Sequence, residues 1–372
     1  MRKVVFLLLA ILIGFGLPYV AIEGVHSLSH GRRASTSLTY DLYRRWFLDR
    51  RIPEFDPNDP TTRVITDPSQ FEAMMDLFKA NDIGIGNSPF RELKNKKVAI
   101  NTEADGCKMQ KPDLRKTMAF LRSHVFNPFD QPTFFYDAER TLPLELEEFL
   151  HRYGFRRVRF TTNAYGERLT LPSVSSDDKV LVAGDSVANG VMLDDTETIA
   201  SRLQALDPAR QYINLGISGA GTADIQCALE KAVKRYAGQI REVIYVLCEN
   251  DFETAGPEEM VAWLDDFRKQ QAIEHVVFVY VPFIYNVAPE VTRIPGHSHY
   301  SFPTFREEKA KVLAAARGAG FDVVDYVEIT RAEAARVGSQ FGALGLYLDH
   351  THLSPPGVER LLPVLRRVAH AP

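Results

Sequence analysis

The chain has 372 residues, 45% of them apolar, which is enough material for one α/β core and a smaller second region. Its 44 Lys and Arg stand against 48 Asp and Glu, a formal charge of -4, so there is no basic field to gather nucleic acid. Three cysteines, Cys107, Cys227 and Cys248, are too few and too scattered for a disulfide framework or a zinc cluster; at most one pair can form, and Cys227 and Cys248 sit in segments that read as core.

At the N-terminus, Met1-Arg2-Lys3 precedes an uncharged apolar stretch from Val4 to Ile22, about the length that crosses a bilayer. No small-x-small cleavage site follows, since Ala21 has Tyr19 two positions before it and Gly24 has Ile22. Residues 1–22 therefore read as an uncleaved transmembrane anchor, with secretion after signal cleavage as the alternative. The basic leader places the remaining chain in the periplasm or outside the cell, although Arg32, Arg33, Arg44 and Arg45 weigh against that orientation. Residues 23–177 read as a tether followed by a small α/β accessory region. The tether is Arg-rich and then rich in Pro and Asp; helical patterns follow at Phe71, Met74, Met75 and Phe78, and after Pro143 at Leu146, Phe149, Leu150 and Tyr153. No catalytic constellation stands out there.

From residue 178 to 372 the pattern becomes apolar, β-rich runs alternating with amphipathic helices. The runs are Lys179 to Ala183, Gln211 to Leu215, Glu242 to Leu247, His275 to Val281 and Phe321 to Val327. Between them, Ile199, Leu203 and Leu206 make one helical stripe, and Met260, Trp263, Leu264 and Phe267 another. Continuous apolar strands separated by helices predict a parallel sheet covered on both faces, with any ligand crevice beyond the carboxyl ends of the strands.

Polar segments of the kind acyl transfer needs follow those strands: Gly184-Asp185-Ser186, Asn214 to Thr222, Cys248-Glu249-Asn250-Asp251, and Asp349-His350-Thr351-His352. In this order they resemble the four blocks of the SGNH (GDSL-like) hydrolases, in particular membrane-anchored bacterial members. The resemblance implies a three-layer α/β/α, flavodoxin-like fold over residues 178–372. Carried over, it makes Ser186 the nucleophile, His352 the base and Asp349 its carboxylate partner. The oxyanion hole falls to the backbone N–H groups of Ser186 and Gly219 and to the Asn250 side chain. Gly216 and Gly221 rival Gly219, and His350 rivals His352, but only His352 gives the Asp-x-x-His spacing. The chemistry agrees: a serine hydroxyl needs an imidazole to take its proton, and a carboxylate with only two residues between it and the imidazole can set its tautomer from within one turn. Asp185 and Asp251 are expected to hold their loops by hydrogen bonds to backbone rather than to react. The family pattern has glycine where this chain has Cys248; the bulkier Cys248 and Glu249 are expected to narrow the pocket or shift Asn250.

Thr162-Asn163-Ala164-Tyr165-Gly166-Glu167-Arg168 is similar to a stretch that precedes the Gly-Asp-Ser block in exported relatives, and reads as a turn leading into the first strand. The insert from Pro282 to Pro303, with Tyr285, Arg293, His297, His299 and Tyr300, falls near the crevice and is either a sugar-gripping loop or a solvated one. The function implied is a serine esterase acting through an acyl-enzyme on acyl esters, O-acetyl groups of an extracytoplasmic carbohydrate or lipid foremost. One alternative is an O-acetyltransferase that modifies an exported polysaccharide; another is a non-catalytic carbohydrate-binding protein on the same fold. The expected partners are the acyl ester and, through the N-terminal helix, the membrane; no nucleic acid, metal or organic cofactor is implied, and the oligomeric state is left open.

Overall fold

The computed structural model describes residues 84–85, 101–104, 106–120, 133–144, 146–147, 150, 155–253, 256–287, 302–337 and 345–369. The apolar run at 4–22, the tether, the helical pattern from Phe71 to Phe78 and residues 288–301 of the insert lie outside the described residues. Among the described residues, no helix is long and apolar enough to cross a membrane.

The first part of the chain is more β-rich than its sequence pattern predicts. Strands β1 (Gly84–Ile85), β4 (Arg115–Phe120), β5 (Thr133–Asp137) and β6 (Arg156–Thr161) make an antiparallel sheet in the order β1-β5-β4-β6. A separate hairpin pairs β2 (Asn101–Ala104) with β3 (Cys107–Gln110). In β6 the alternation is plain: Val158 and Phe160 face inward while Arg157 and Arg159 face out, the period of a half-buried strand. After Pro143 the chain does turn helical, with Leu146 N–H donating to Pro143 O at 3.0 Å and with Leu146 and Leu150 buried.

The second part is a five-stranded sheet. Its elements in chain order are β7 (Lys179–Gly184), α1 (Ser186–Asn189), α2 (Ile199–Leu206), β8 (Gln211–Asn214), α3 (Thr222–Arg235), β9 (Ile240–Cys248), α4 (Pro257–Gln270), β10 (His275–Val281), α5 (Phe302–Gly318), β11 (Asp322–Asp325), α6 (Tyr326–Val337) and α7 (Pro355–Ala369). Every strand pair is parallel and the order is β11-β10-β9-β7-β8. Counted in chain order this is 2-1-3-4-5, the flavodoxin-like order, whose switch point lies between β7 and β9. Alternate residues feed two cores. Val180, Val182, Ile244, Val246 and Val277 pack under Ile199 and Leu203 of α2 and Leu361 and Leu365 of α7. Leu181, Val243, Tyr245, Val276 and Phe278 pack against Ile225 and Leu229 of α3, Leu264 of α4 and Val312 of α5. The layers are thus helix, sheet, helix.

Some expectations are corrected. Leu206 is 42% exposed, so the α2 stripe narrows to Ile199 and Leu203. The last strand stops at Asp325, and Tyr326 and Val327 enter the core from α6 instead. Cys227 is no core residue: half-buried on α3, it forms a disulfide with Cys107 of β3 (Cα–Cα 6.3 Å), leaving Cys248 free and buried.

The turn from Thr162 to Arg168 has an internal logic. Asn163 Oδ1 accepts from the N–H groups of Tyr165 (2.9 Å) and Glu167 (3.1 Å), which closes the turn. Arg168 is then driven inside, 1% exposed, with Nε on Asp195 Oδ1 at 2.9 Å. Its Nη2 donates to the carbonyls of Arg159 (3.0 Å) and Leu193 (2.8 Å), and its guanidinium lies 4.0 Å from the centre of the Phe160 ring. Arg168 therefore holds the segment that follows α1 against β6.

Candidate active site

Ser186 sits at the first turn after β7, where Gly184 and Asp185 make the corner. Gly184 has φ +150°, and a Cβ there would stand 2.3 Å from Val246 O, so only glycine lets β7 and β9 approach this closely. Asp185 caps α1, its Oδ1 accepting Val187 N–H at 2.9 Å, as expected for a residue that holds its loop. Its Oδ2 does more: it accepts the Ser186 hydroxyl at 3.3 Å and the Asn250 side-chain amide at 3.0 Å. One carboxylate thus joins the loops after β7 and β9, the two strands that flank the switch point. Ser186 N–H, at the first helical position, has no intrahelical acceptor.

The loop after β8 lies alongside. Ile217 N–H donates to Gly184 O at 3.1 Å and Asn189 Nδ2 to Gly216 O at 2.8 Å, which tie it to the Ser186 turn. Gly219 follows in the left-handed conformation, φ +66°. Gly221, the rival for its role, is instead the N-cap of α3, its own N–H donating to Asp224 Oδ2 at 3.2 Å.

Asp349 and His352 come from the loop before α7, clamped by Leu348 N–H to His352 O (2.8 Å) and Ser354 N–H to Leu346 O (2.9 Å). Asp349 Oδ1 accepts the backbone N–H groups of Thr351 (2.8 Å) and His352 (2.7 Å), and its Oδ2 faces His352 Nδ1 at 2.7 Å. Burial works against the Asp349 charge, but the His352 charge and these hydrogen bonds outweigh it and hold the carboxyl well below its usual range. Burial likewise opposes a charged His352; Asp349, and then Asp185, reverse this and raise the imidazole above its ordinary value. His352 Nε2 is buried with no hydrogen-bond partner among the described residues, and the Ser186 hydroxyl is turned to Asp185 rather than to it. His350, the rival base, is half-buried: its ring stacks on Phe283 at 5.2 Å and its Nδ1 lies 3.8 Å from Asp349 Oδ1.

Cys248 and Glu249 are held in the interior. Both side chains are fully buried, and Asp251 takes Cys248 N–H at 3.0 Å, as a loop-holding carboxylate does. Glu249 turns away from Asn250 to accept the Tyr280 hydroxyl, Phe283 N–H (2.9 Å) and the Asn286 amide, which fixes the base of the insert after β10. Burial pushes its carboxyl up to about 7 against those hydrogen bonds. The residues that sequence reasoning missed are Asp185 as a junction, Glu249 as the anchor of the insert, and Arg168. For Arg168 the traces were an arginine after a glycine turn and the similarity of Thr162 to Arg168 to a stretch in exported relatives. Among the described residues, no group of three or more His, Cys, Asp or Glu is placed to hold a metal ion.

Fold and site together define a doubly wound α/β protein with a Ser, Asn and Asp-His cluster at the carboxyl end of its sheet. No family model matches the chain, and no curated protein matches it. Solved structures do resemble it. A member of the lipolytic protein G-D-S-L family from Veillonella parvula DSM 2008 is 14% identical, over 52% of this chain and 100% of that one, with a TM-score of 0.39. A carbohydrate acetylesterase family member from Sinorhizobium meliloti is 15% identical, over 52% and 100%, with a TM-score of 0.38. A lipase/acylhydrolase from Enterococcus faecalis is 19% identical, over 52% and 96%, also with a TM-score of 0.38.

Proposed function

We propose that the chain is a serine esterase of the SGNH type. On this reading Ser186 attacks the carbonyl carbon of an acyl ester while His352 Nε2 takes the hydroxyl proton and Asp349 stabilises the imidazolium. The Ser186 and Gly219 N–H groups and the Asn250 amide receive the developing oxyanion. The proton then passes to the leaving alkoxide, and water, activated by the same imidazole, releases the acid. The observation that carries the reading is the Asp349–His352 pair at 2.7 Å, with Nε2 buried and unpaired among the described residues, in a protein whose Asp185 joins Ser186 to Asn250. For catalysis, the Ser186 hydroxyl leaves Asp185 and engages His352.

O-acetyl esters of an extracytoplasmic carbohydrate are the substrate class we favour, with residues 1–22 as the membrane anchor. The Cys107–Cys227 disulfide supports that location, since such bonds persist in oxidising compartments. The test is turnover of p-nitrophenyl acetate by the full-length chain, with and without a xylo-oligosaccharide, beside Ser186→Ala. Loss of turnover in Ser186→Ala by at least about 10³-fold is expected; equal rates overturn the nucleophile assignment. Acetate alone means hydrolysis, and an acetylated sugar means transfer.

A further inference from the structure

The β2–β3 hairpin belongs to neither large sheet, yet its side chains end on the loop that carries Gly219. Asn101 Nδ2 donates to Ser218 O at 2.8 Å, Lys108 Nζ donates to Gly219 O, and Gln110 Nε2 donates to Gly216 O. Lys108 N–H adds a bond to Asp224 Oδ1 at 2.8 Å, and Cys107 is covalently joined to Cys227 on α3. The partners in these hydrogen bonds are 106 to 117 residues apart in sequence.

The Ser218–Gly219 peptide is where this converges. Its carbonyl accepts Asn101, and its N–H is the donor assigned to the oxyanion. A donor on the carbonyl fixes the peptide plane and polarises the amide, so that its N–H becomes a stronger donor in turn. Gly219 needs such support. Among the described residues, Lys108 Nζ is the only heavy atom beyond its chain neighbours within 4 Å of where a Cβ on this left-handed glycine would stand, at 3.0 Å. A preorganised donor contributes to catalysis only if it is already aimed at the oxyanion before charge develops.

We propose that Asn101 and Lys108 are positioning residues for the oxyanion hole. Asn101 orients and polarises the Ser218–Gly219 peptide, Lys108 holds the Gly219 carbonyl, and the Cys107–Cys227 disulfide anchors the hairpin that delivers both. This inference rests on the esterase reading above. It predicts a particular kinetic signature, because the oxyanion exists only in the transition state and its intermediate: kcat falls while KM stays.

The experiment compares full-length wild type, Ser186→Ala, Asn101→Ala, Lys108→Met and Lys108→Arg on p-nitrophenyl acetate, with a thermal midpoint for each. Asn101→Ala and Lys108→Met are each expected to lower kcat about tenfold, less than the roughly 10²- to 10³-fold loss from deleting an oxyanion donor itself. KM is expected to stay within about twofold and the midpoint within about 2 °C, and Lys108→Arg, which keeps a donor, to retain most of the activity. Unchanged kcat in both variants, with wild type active and Ser186→Ala dead, overturns this inference alone. So does a kcat loss accompanied by a matching rise in KM and fall in midpoint, which would mark the hairpin as a structural brace. An inactive wild type, or a Ser186→Ala as active as wild type, overturns the esterase reading and this inference with it.

Discussion

Asp185 carries more hydrogen bonds than a helix cap requires. Its carboxylate holds Val187 N–H, the Ser186 hydroxyl and the Asn250 amide, and its charge also reaches His352. The balance at His352 sets the pH behaviour. Burial disfavours the imidazolium, while Asp349 and then Asp185 favour it more strongly, so the folded pKa lies above the ordinary value of about 6.5. A general base works only when neutral, so kcat/KM for p-nitrophenyl acetate should fall as pH drops through that raised value. Asp349→Asn removes the main source of the upward shift and the partner that sets the tautomer. We expect it to move the acid limb to lower pH and to cut kcat by roughly 10⁴-fold. A limb that stays in place would show that Asp349 does not govern the titrating group.

Among the elements, Arg168 offers the sharpest test of what holds the Ser186 turn. It is a fully buried cation whose charge is matched by Asp195 at 2.9 Å and whose remaining donors end on the carbonyls of Arg159, Leu193 and Gly190. Arg168→Met keeps much of the stem but strands Asp195 in the interior, and losing one partner of a buried pair costs about 3 to 5 kcal/mol. Urea denaturation should show a loss of that size; a change under about 1 kcal/mol would mean that Asp195 finds another partner. The sequence shows a turn and a resemblance to exported relatives at this place but not the arginine's partners, because those are set by how β6 and the α1 segment meet.

The same contrast between local and long-range information runs through the other elements. His275 to Val281 was legible to the residue, because a seven-residue run rich in valine and aromatics is too short for a helix and reads as a buried parallel strand. Phe321 to Val327 looked alike yet changes from strand to helix at Tyr326, a boundary that hydrophobicity cannot mark when both elements point inward. The alternation of β6 was present in the sequence, masked by three arginines in a six-residue strand. At the site, the strand-end positions of Ser186 and Asn250 follow from the strand pattern, while their roles and the Asp349–His352 pair, which lies a helix beyond the last strand, came from the family resemblance. The hairpin that reaches Ser218 and Gly219, and the pairing of Cys107 with Cys227, bridge more than a hundred residues and left no local signature.

On the scale of the whole molecule, the sheet has polar groups gathered at both ends, and only one end carries the proposed chemistry. At the opposite end His275, the first residue of β10, pairs through Nε2 with Asp322 and lies 3.7 Å through Nδ1 from the buried Glu242. Arg210 adds contacts to Glu242 at 2.8 Å and to Asp178 at 3.3 Å, so His275 and Arg210 face three carboxylates. The neighbouring Glu242 carboxylate, and then Asp322, raise the His275 pKa against a cost of burial. A group whose pKa is higher folded than unfolded stabilises the fold fully below its unfolded value, about 6.5, and loses that contribution as pH rises through the folded value. Urea denaturation of the wild type should therefore show stability declining from about pH 6.5 upward, and His275→Gln should flatten that decline. Activity per folded molecule should be unaffected by the substitution, because the cluster lies a full strand length from Ser186. A stability difference between wild type and His275→Gln that does not change with pH would show that His275 packs there without titrating.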